Sequence, residues 1–561
     1  MRYSKKYIIF MLVMLFAIVL KMNNWSEDYA DVEPFRGARL QDEIFYPLKA
    51  KSINDSKLFT LRIDDKSYGA NDGVILGDKM EPMISLSFAE EIFGCNAHLY
   101  DDVLIKIKYS NHTVLFSVGT YEATIDGDMT TIRVAPEIHE KNAYVSLEEM
   151  CKIFGCEYSY DPQSYTATMS GDFEKGGLPS KFDLRKDDRA AQIKNQDNTS
   201  TCWAQAAVGA LESSLLPEEE CTFNVENMIS KNNYNVDFSN GGDYTMAVSY
   251  LLSWTGPTDN ESDNVTKHVQ EVHYFTQEDI DDIKWAVYKY GGVSTSIYAS
   301  MSQNNLIKSA YYNKSKNAYY YNKTDKPNHD VVIIGWDDEY SASNFKEEAP
   351  GDGAFICQNS WGASFGDDGV FYVSYYDTNI GNQAVAYVGV EDADNYDSIY
   401  QSDLCGWVGQ VGYNKEYISA ANIYTAAKDE EIVSAGFYAL DKNTSYTLYF
   451  VSDYNGVTSL ASRTQVAEGQ MDSAGYYTVK FDEGISVKEG ERFAIVLVIN
   501  TPGSTHPMAI EYASNEFTKN VDITDGTGYI SSNGLNWESV EDKADGNLCL
   551  KAYGKSMEES E

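Results

Sequence analysis

The sequence has few basic residues for its length. Its 44 lysine and arginine residues are outnumbered by 85 aspartate and glutamate residues, which gives a formal net charge of −41 at pH 7. Because phosphate binding needs basic stripes or patches, this balance argues against nucleic acid as a partner. The acidic residues are spread along the chain instead of forming one block, so their simplest role is solubility in an exposed environment.

Cysteine is also scarce. Eight cysteines among 561 residues are too few for a disulfide scaffold. They form no C-x-x-C pair and show no metal-ligand spacing with the seven histidines. Cys95 and Cys156 either form a bridge or are buried free thiols. We therefore expect no metal site and no cofactor.

The chain begins with a short basic region followed by an unbroken apolar run from Tyr7 to Leu20. This arrangement is typical of an export signal. The run is shorter than the roughly 20 residues of a membrane span, yet no small-residue cleavage site follows it. Residues 1–28 are therefore either a signal peptide or a membrane anchor. In both cases we expect the rest of the chain to be extracellular, secreted or tethered to a bacterial cell surface.

A length of 561 residues exceeds what one core supports, so we expect several folded units. The first unit, predicted over residues 50–172, contains an internal repeat, in which Ile84–Cys95 returns as Val145–Cys156. In each copy a serine is a natural helix N-cap and a glycine closes the helix. This small α+β unit resembles the copper amine oxidase N-terminal-like domain of bacterial surface proteins, without a copper ligand set. It would serve either as a spacer or as a pro-segment.

The central motif of the chain is a cysteine at the start of a helical pattern. One apolar helix face is formed by Ala204, Ala207, Val208, Leu211 and Leu215. Residues of N-capping types, from Asn198 to Thr201, stand directly before this pattern and place Cys202 in the first turn. Because unsatisfied N–H groups and the helix dipole favour a thiolate there, Cys202 is a candidate nucleophile.

Two downstream motifs supply the residue types that a cysteine nucleophile needs. His329 precedes the apolar run Val331–Ile334, so its ring is expected to project from the start of a strand. Asn359 opens the sequence Asn-Ser-Trp-Gly, which ends at Gly362. Cysteine, histidine and asparagine in this order are what papain-type nucleophilic catalysis requires.

This ordered set resembles the papain family of cysteine peptidases, and the resemblance extends over residues 178–392. It implies a two-lobe catalytic domain, helical on one side and a β-barrel on the other. It also implies hydrolysis of protein or peptide substrates through a thioester acyl-enzyme. Cys202 would attack the scissile carbonyl, His329 would shuttle the proton, and Asn359 would hold the imidazole in the productive tautomer.

The resemblance assigns further residues around this centre. Gln196 would donate its side-chain amide to the oxyanion of the tetrahedral intermediate. Trp361 would shield the histidine–asparagine hydrogen bond from water. Two glycines would pair with an extended substrate, and two side chains would line the pocket for the second residue upstream of the cut. The predicted substrate-binding residues are thus Gly241, Gly242, Tyr244, Ser296 and Trp361.

Two departures from the family pattern concern the residues next to Cys202 and His329. Thr199–Thr201 replace the usual Cys-Gly-Ser before the nucleophile, so the disulfide that this cysteine forms in the family is absent. The loop would then be more mobile unless other contacts hold it. Asp330 replaces the small apolar residue that commonly follows the histidine, which would alter the electrostatics of His329.

Residues 396–555 are predicted to form a β-sandwich. Alternating segments separated by turn residues are typical of this fold, and they include Ser445–Ser452, Tyr476–Phe481, Phe493–Ile499 and Leu548–Tyr553. Their pattern and position resemble the lectin-like domain that follows papain-family domains in bacterial surface proteins, which implies surface glycans as a second partner. The aromatic residues that would either stack on sugars or pack in the core are Trp407, Tyr417 and Trp537.

The predicted fold class is therefore multidomain α+β, with a small α+β N-terminal domain, a papain-like two-lobe domain and a C-terminal β-sandwich. The predicted function is that of an exported papain-like cysteine endopeptidase. Two alternatives stay open. One is a surface adhesin or glycan-binding protein with a degenerate papain-like scaffold. The other is a cell-wall peptide amidase or transpeptidase that uses the same triad.

Overall fold

The computed structural model describes residues 31–34, 59–63, 66–69, 72–77, 80–100, 103–109, 112–125, 128–139, 142–154, 156–162, 164–170, 178–239, 241–301 and 309–557. The chain divides into two compact units, residues 43–182 with 284–289, and residues 183–283 and 290–561 with the first 42. Segment 1–28, on which the export or anchor prediction depends, lies outside the described residues. Within the described ranges, no helix combines the length and apolar character needed to cross a bilayer.

The smaller unit consists of short strands and two helices. Strand β1 (Asp31–Pro34) belongs to the larger unit, and the strands of the smaller one follow it: β2 (Thr60–Ile63), β3 (Lys66–Tyr68), β4 (Val74–Leu76), β5 (Pro82–Ser85), β6 (Asn96–Tyr100), β7 (Leu104–Tyr109), β8 (His112–Ser117), β9 (Glu122–Ile125), β10 (Asp128–Thr131), β11 (Glu137–His139), β12 (Asn142–Ser146), β13 (Glu157–Asp161) and β14 (Thr166–Ser170). The helices are α1 (Leu86–Phe93) and α2 (Leu147–Phe154).

The internal repeat appears as two strand–helix–strand copies, as predicted. β5 and β12, which lead into the two helices, pair antiparallel with each other. Ser85 caps α1 by accepting a hydrogen bond from the Phe88 N–H, and Gly94 ends this helix in the left-handed conformation. Both helices contribute to one apolar core with the strands of this unit. Cys95 and Cys156 are free thiols.

The two-lobe domain begins with β15 (Lys181–Asp183). Its helices are α3 (Cys202–Leu215), α4 (Val225–Lys231), α5 (Tyr244–Leu252) and α6 (Ile280–Tyr290). Its further strands are β16 (Lys267–Phe275), β17 (Val293–Ile297), β18 (Tyr312–Asn313), β19 (Ala318–Tyr319), β20 (His329–Asp337), β21 (Ala354–Gln358), β22 (Val370–Ser374) and β23 (Ala384–Asp392). The barrel lobe follows the order β22-β21-β20-β17-β23-β16, and α3 packs on β20. The predicted two-lobe fold is confirmed.

Helix α3 is buried on more than the predicted face. Four of the five predicted apolar residues are fully buried, and Leu215 is half-buried at the end of the helix. Trp203 and Ala206 are buried as well, because neighbouring helices cover one side of α3 while barrel strands cover the other. The nucleophile candidate therefore stands at the end of a helix that is fixed by packing along its length.

The C-terminal domain is a β-sandwich, as predicted. Its elements are β24 (Ser398–Tyr400), β25 (Gly409–Gly412), β26 (Tyr417–Thr425), β27 (Glu430–Ala439), β28 (Thr444–Val451), β29 (Thr464–Met471), β30 (Ala474–Val487), β31 (Arg492–Asn500), β32 (Met508–Tyr512), β33 (Gly528–Ser531), β34 (Glu538–Ser539), α7 (Val540–Ala544), β35 (Gly546–Leu548) and β36 (Leu550–Ser556). The sheet β29-β28-β31-β26-β33-β34 shares a large apolar core with β27, β30 and β36.

The predicted strand Leu548–Tyr553 was wrong in one respect, because the structure divides it at Cys549. β35 pairs with β32, whereas β36 pairs with β27 of a different sheet. The chain thus crosses between sheets at this residue. Of the aromatic residues considered for sugar stacking, Trp407 is buried, whereas Tyr417 is exposed. Trp537 packs partly buried against a small core cluster.

One sheet continues from the two-lobe domain into the sandwich. β16 pairs with β23 on one side and with β30 of the C-terminal domain on the other. Beside this junction, the Trp254 ring stacks on the His268 ring with centroids 3.8 Å apart. Backbone hydrogen bonds across a shared sheet fix orientation far better than a flexible linker does, and both domains belong to the same compact unit.

Candidate active site

Cys202 is the first residue of α3, as predicted. Thr201 occupies the N-cap position, but its side chain makes no capping hydrogen bond. Its hydroxyl is instead bonded to the Thr199 hydroxyl, with 2.7 Å between the two Oγ1 atoms. The N–H groups at the start of α3 are therefore not taken up by a side-chain cap, and those of Cys202 and Trp203 face the sulfur and lower the pKa of the thiol.

The loop before Cys202 is held by hydrogen bonds where the family has a disulfide. The Gln196 backbone N–H donates to Ser360 O at 2.8 Å, and Ser200 N–H donates to Phe238 O at 3.0 Å. A short antiparallel bridge between Asn195 and Trp361 adds to this link. These hydrogen bonds hold the loop on both sides. They oppose the increase in loop mobility that is expected from the missing disulfide.

His329 begins β20, as predicted. Its Nε2 lies 2.8 Å from Asn359 Oδ1, and this distance defines a hydrogen bond in which the ring N–H donates to the amide oxygen. The same oxygen accepts the Ser360 N–H at 2.8 Å. The Trp361 ring lies over the imidazole, with centroids 4.8 Å apart. His329, Asn359 and Trp361 are all buried, so the hydrogen bond is shielded from water.

The Gln196 side chain is fixed in one orientation. Its Oε1 accepts a hydrogen bond from Ser360 Oγ at 2.7 Å, and its Nε2 donates to Thr199 O at 2.8 Å. Because the amide nitrogen carries two hydrogens, one donor remains after this bond. Sequence reasoning missed the role of Ser360, although this residue lies inside the Asn-Ser-Trp-Gly motif that was recognised.

Burial shapes the pKa values of the catalytic candidates. It raises the pKa of the Cys202 thiol to about 12, and the Asp330 carboxylate adds to the increase, whereas hydrogen bonds from the backbone N–H groups of Asp330, Trp203 and Cys202 oppose it. Burial lowers the pKa of His329 to about 4, and the hydrogen bond to Asn359 opposes this shift. Each charged form is thus disfavoured when it stands alone.

The predicted substrate-binding residues occupy different environments. Gly241 has a positive φ of 70°, and a side chain at Gly242 would collide with the Trp203 ring at 2.7 Å. Both positions therefore require glycine, and their backbone stays accessible. Tyr244 is buried, with its ring 5.8 Å from that of Tyr274. Ser296 is buried on β17, opposite Asp330.

Comparison with known proteins agrees with this geometry. Residues 178–389 match the model described as papain family cysteine protease. This stretch is a papain-family cysteine peptidase domain. Residues 63–169 match the copper amine oxidase N-terminal domain, and residues 399–554 match the lectin-like domain. The three resemblances inferred from the sequence are thus confirmed.

Two mouse cathepsins are among its relatives. The chain is 28% identical to cathepsin S of Mus musculus over 211 residues, which covers 34% of this chain and 57% of the cathepsin. It is 23% identical to cathepsin K of Mus musculus over 292 residues, which covers 48% of this chain and 78% of the relative. The chain thus spans little more than half the length of cathepsin S.

Two solved structures align with 68% of this chain. The cysteine protease and lectin-like domains of Cwp84, a surface layer associated protein of Clostridium difficile, align with a TM-score of 0.60 and 23% identity, covering 68% of this chain and 89% of that one. A variant of the clostridial cysteine protease Cwp84 after propeptide cleavage aligns with a TM-score of 0.59 and 23% identity, covering 68% and 100%. At this identity the likeness establishes the fold.

Proposed function

We propose that this chain hydrolyses peptide bonds as a cysteine endopeptidase, with Cys202, His329 and Asn359 as its triad. The observation that carries the proposal is the shielded hydrogen bond between His329 Nε2 and Asn359 Oδ1 at 2.8 Å. This bond commits one ring nitrogen to Asn359 and leaves the other, Nδ1, for proton exchange with the nucleophile.

The reaction begins with proton transfer from the Cys202 thiol to His329. Burial opposes the thiolate and the imidazolium separately, but transfer creates both charges together, so each becomes the counter-charge of the other. The backbone N–H groups that face the sulfur favour the thiolate, and Asn359 favours the imidazolium. Substrate peptide bonds are thus expected to meet an ionised pair.

Attack of the thiolate sulfur on the scissile carbonyl forms a tetrahedral intermediate with a negative oxygen. The remaining N–H of Gln196 Nε2 stabilises this oxygen, and such a donor contributes about 100- to 1000-fold to kcat. The imidazolium then gives its proton to the leaving amine, and the C–N bond breaks to leave a thioester on Cys202. Water, deprotonated by His329, hydrolyses the thioester and restores the thiol.

The test combines labelling with activity. An epoxide inhibitor should react rapidly with Cys202 alone among the eight cysteines, because only this thiol would share its proton with a histidine and most of the others are buried. The same inhibitor should block cleavage of casein. Cys202→Ala should abolish cleavage while the circular dichroism spectrum stays unchanged. Retained cleavage by this variant would remove Cys202 from the mechanism.

The two alternative functions, adhesin and cell-wall amidase or transpeptidase, differ in whether they need these catalytic residues. An adhesin with a degenerate scaffold does not need a tied glutamine, a shielded histidine–asparagine pair and a cysteine at a helix start, all in one place. Slow and equal labelling of all thiols would nevertheless favour it. A cell-wall amidase or transpeptidase would use the same residues, and cleavage of peptidoglycan fragments in preference to casein would identify it.

We also propose that the protein acts outside the cell, on or near a bacterial surface. The basic and apolar start of the chain supports export, and the structurally similar Cwp84 is a surface layer associated protein. The lectin-like domain would bind surface glycans. Mass spectrometry of the protein recovered from the culture medium and from the cell wall tests this location. Its N-terminus also decides whether the residues before Leu178 are removed as a pro-segment or retained.

A further inference from the structure

An acidic residue stands beside the proposed nucleophile, and none of the lysines and arginines in the described ranges forms an ion pair with it. Asp330 follows His329 on β20, and its Oδ1 accepts a hydrogen bond from Ser296 Oγ at 2.6 Å. Its backbone N–H points at the Cys202 sulfur, and its carboxylate is close enough to raise the pKa of that thiol. Asp330, with the Ser296 hydroxyl bonded to it, therefore forms a polar wall beside the Cys202 sulfur.

The surroundings of Asp330 add negative charge and no positive charge. The other titratable side chain that acts on it is Asp243, the N-cap residue of α5, which is exposed and repels it. Throughout the described part of the chain, no lysine or arginine forms an ion pair with Asp330. The second carboxylate oxygen, Oδ2, accepts no hydrogen bond from the described residues, although the residue is half-buried.

A carboxylate in such a place is costly unless something compensates it. Burial and the nearby Asp243 raise the pKa of Asp330 to about 7, while the Ser296 hydroxyl opposes the shift. The net charge of −41 provides no counter-charge and instead attracts cations to the surface. A carboxylate withdrawn from water in this way is usually paired. Since no described lysine or arginine pairs with Asp330, a cation from outside the chain would have to do so.

We propose that Asp330 makes this site selective for substrates with a lysine or arginine side chain at the position that contacts the Ser296–Asp330 wall. The resemblance assigns Ser296 to the pocket for the second residue upstream of the cut, and Asp330 is bonded to Ser296. The inference rests on the proposed peptidase function and names the substrate class of that same site. The ammonium or guanidinium group donates to Oδ2, while Ser296 keeps hold of Oδ1.

The same contact links substrate recognition to the nucleophile. The Asp330 charge raises the pKa of Cys202, so a cation that neutralises this charge makes the thiolate easier to form. The lysine preference is therefore expected in kcat as well as in KM. A substrate with glutamate at this position would place a third carboxylate beside Asp330 and Asp243, and it should be cleaved poorly.

The experiment uses fluorogenic dipeptide amides that differ only in the second residue upstream of the cut, which is lysine, norleucine, leucine or glutamate. Norleucine matches the lysine chain in length but carries no charge. At pH 8, the wild type should cleave the lysine substrate about tenfold to about 100-fold better than the norleucine substrate in kcat/KM, as expected for a charged hydrogen bond.

Asp330→Asn keeps the shape and the acceptor for Ser296 but removes the charge, so the lysine-to-norleucine ratio should fall below about threefold. Cleavage of the norleucine substrate should rise, because Cys202 loses a repulsive neighbour. Glu348→Gln is the matched control, since Glu348 is an exposed acid of the same domain, and its ratio should equal that of the wild type. Titration with the epoxide inhibitor counts folded active sites in each variant.

The outcomes separate the two proposals. If the wild type cleaves norleucine or leucine substrates as well as lysine, or if Asp330→Asn changes all substrates by one common factor, the selectivity inference is overturned and the peptidase proposal stands. If the wild type cleaves none of the four substrates and no casein, and the inhibitor does not label Cys202, both are overturned.

Discussion

The hydrogen bond between His329 and Asn359 allows a quantitative test of the triad. It is 2.8 Å long and joins two buried side chains. A hydrogen bond to a charged partner contributes about 1.5 to 3 kcal/mol net, and His329 carries its charge when the pair is ionised. Asn359→Ala should therefore lower kcat/KM by about tenfold to about 100-fold, because each 1.4 kcal/mol corresponds to a factor of about ten.

The pH profile shows whether this loss arises from His329. The hydrogen bond to Asn359 raises the pKa of His329, so its removal lowers that pKa and the imidazolium loses its proton at lower pH. The alkaline limb of kcat/KM should therefore move to lower pH in Asn359→Ala. In Asn359→Asp the acceptor oxygen is kept and a negative charge is added, so the limb should move to higher pH.

The measurement is kcat/KM from about pH 4 to about pH 10 with one fluorogenic peptide, normalised by inhibitor titration so that unfolded protein is not counted. Asn260→Ala is a suitable control, because Asn260 is exposed in the same domain, and its profile should match that of the wild type. A loss smaller than about threefold in Asn359→Ala, or an alkaline limb that stays in place in both Asn359 variants, would refute the assignment of Asn359 to the triad.

Two further predictions concern the oxyanion donor and the sandwich. Gln196→Ala should lower kcat about 100- to 1000-fold with little change in KM, because the oxyanion donor is lost. Ser360→Ala removes only the hydrogen bond that holds the Gln196 amide, so it should lower kcat about two- to tenfold. Equal losses of the two variants in single-turnover assays would contradict these roles. Burial raises the pKa of Glu511 to about 8, and Asp403 adds to the shift. Since the unfolded state releases this proton near the ordinary value of 4.5, stability should fall by up to about 1.4 kcal/mol per pH unit as the pH rises between these values. Urea unfolding of Glu511→Gln should lack this part of the slope, and identical slopes would refute it.

The sequence predicted site residues and secondary structure best where a short local motif fixes the residue types. Cys202 and its helix, the strand that begins at His329 and the Asn359 motif could all be placed because each is a local pattern. The internal repeat was visible for the same reason, since a serine cap and a closing glycine mark each helix boundary. The structure confirms these elements to within a few residues.

Contacts between distant parts of the chain could not be predicted. The bond between Ser360 and Gln196 joins residues that lie 164 positions apart, and no periodicity encodes such a meeting. The division of the last strand at Cys549 depends on which sheets lie nearby, since β35 and β36 each read as a strand but pair with different partners. Capping residue types before α3 predicted a side-chain cap, but Thr199 provides a competing partner for Thr201.

In the proposed site, the charge of each group depends on the charge of its neighbour. In the proposed triad, Asn359 favours a positive His329 by accepting its ring N–H, and this imidazolium would in turn favour a negative Cys202. Asp330 opposes that thiolate, because its carboxylate raises the pKa of the Cys202 thiol. Among the described residues, no lysine or arginine offsets the Asp330 charge. If a basic substrate side chain supplies the missing positive charge, productive binding and ionisation of the nucleophile favour each other. Recognition and chemistry would then depend on the same electrostatic balance, since a neutral substrate leaves Asp330 uncompensated and the thiolate harder to form.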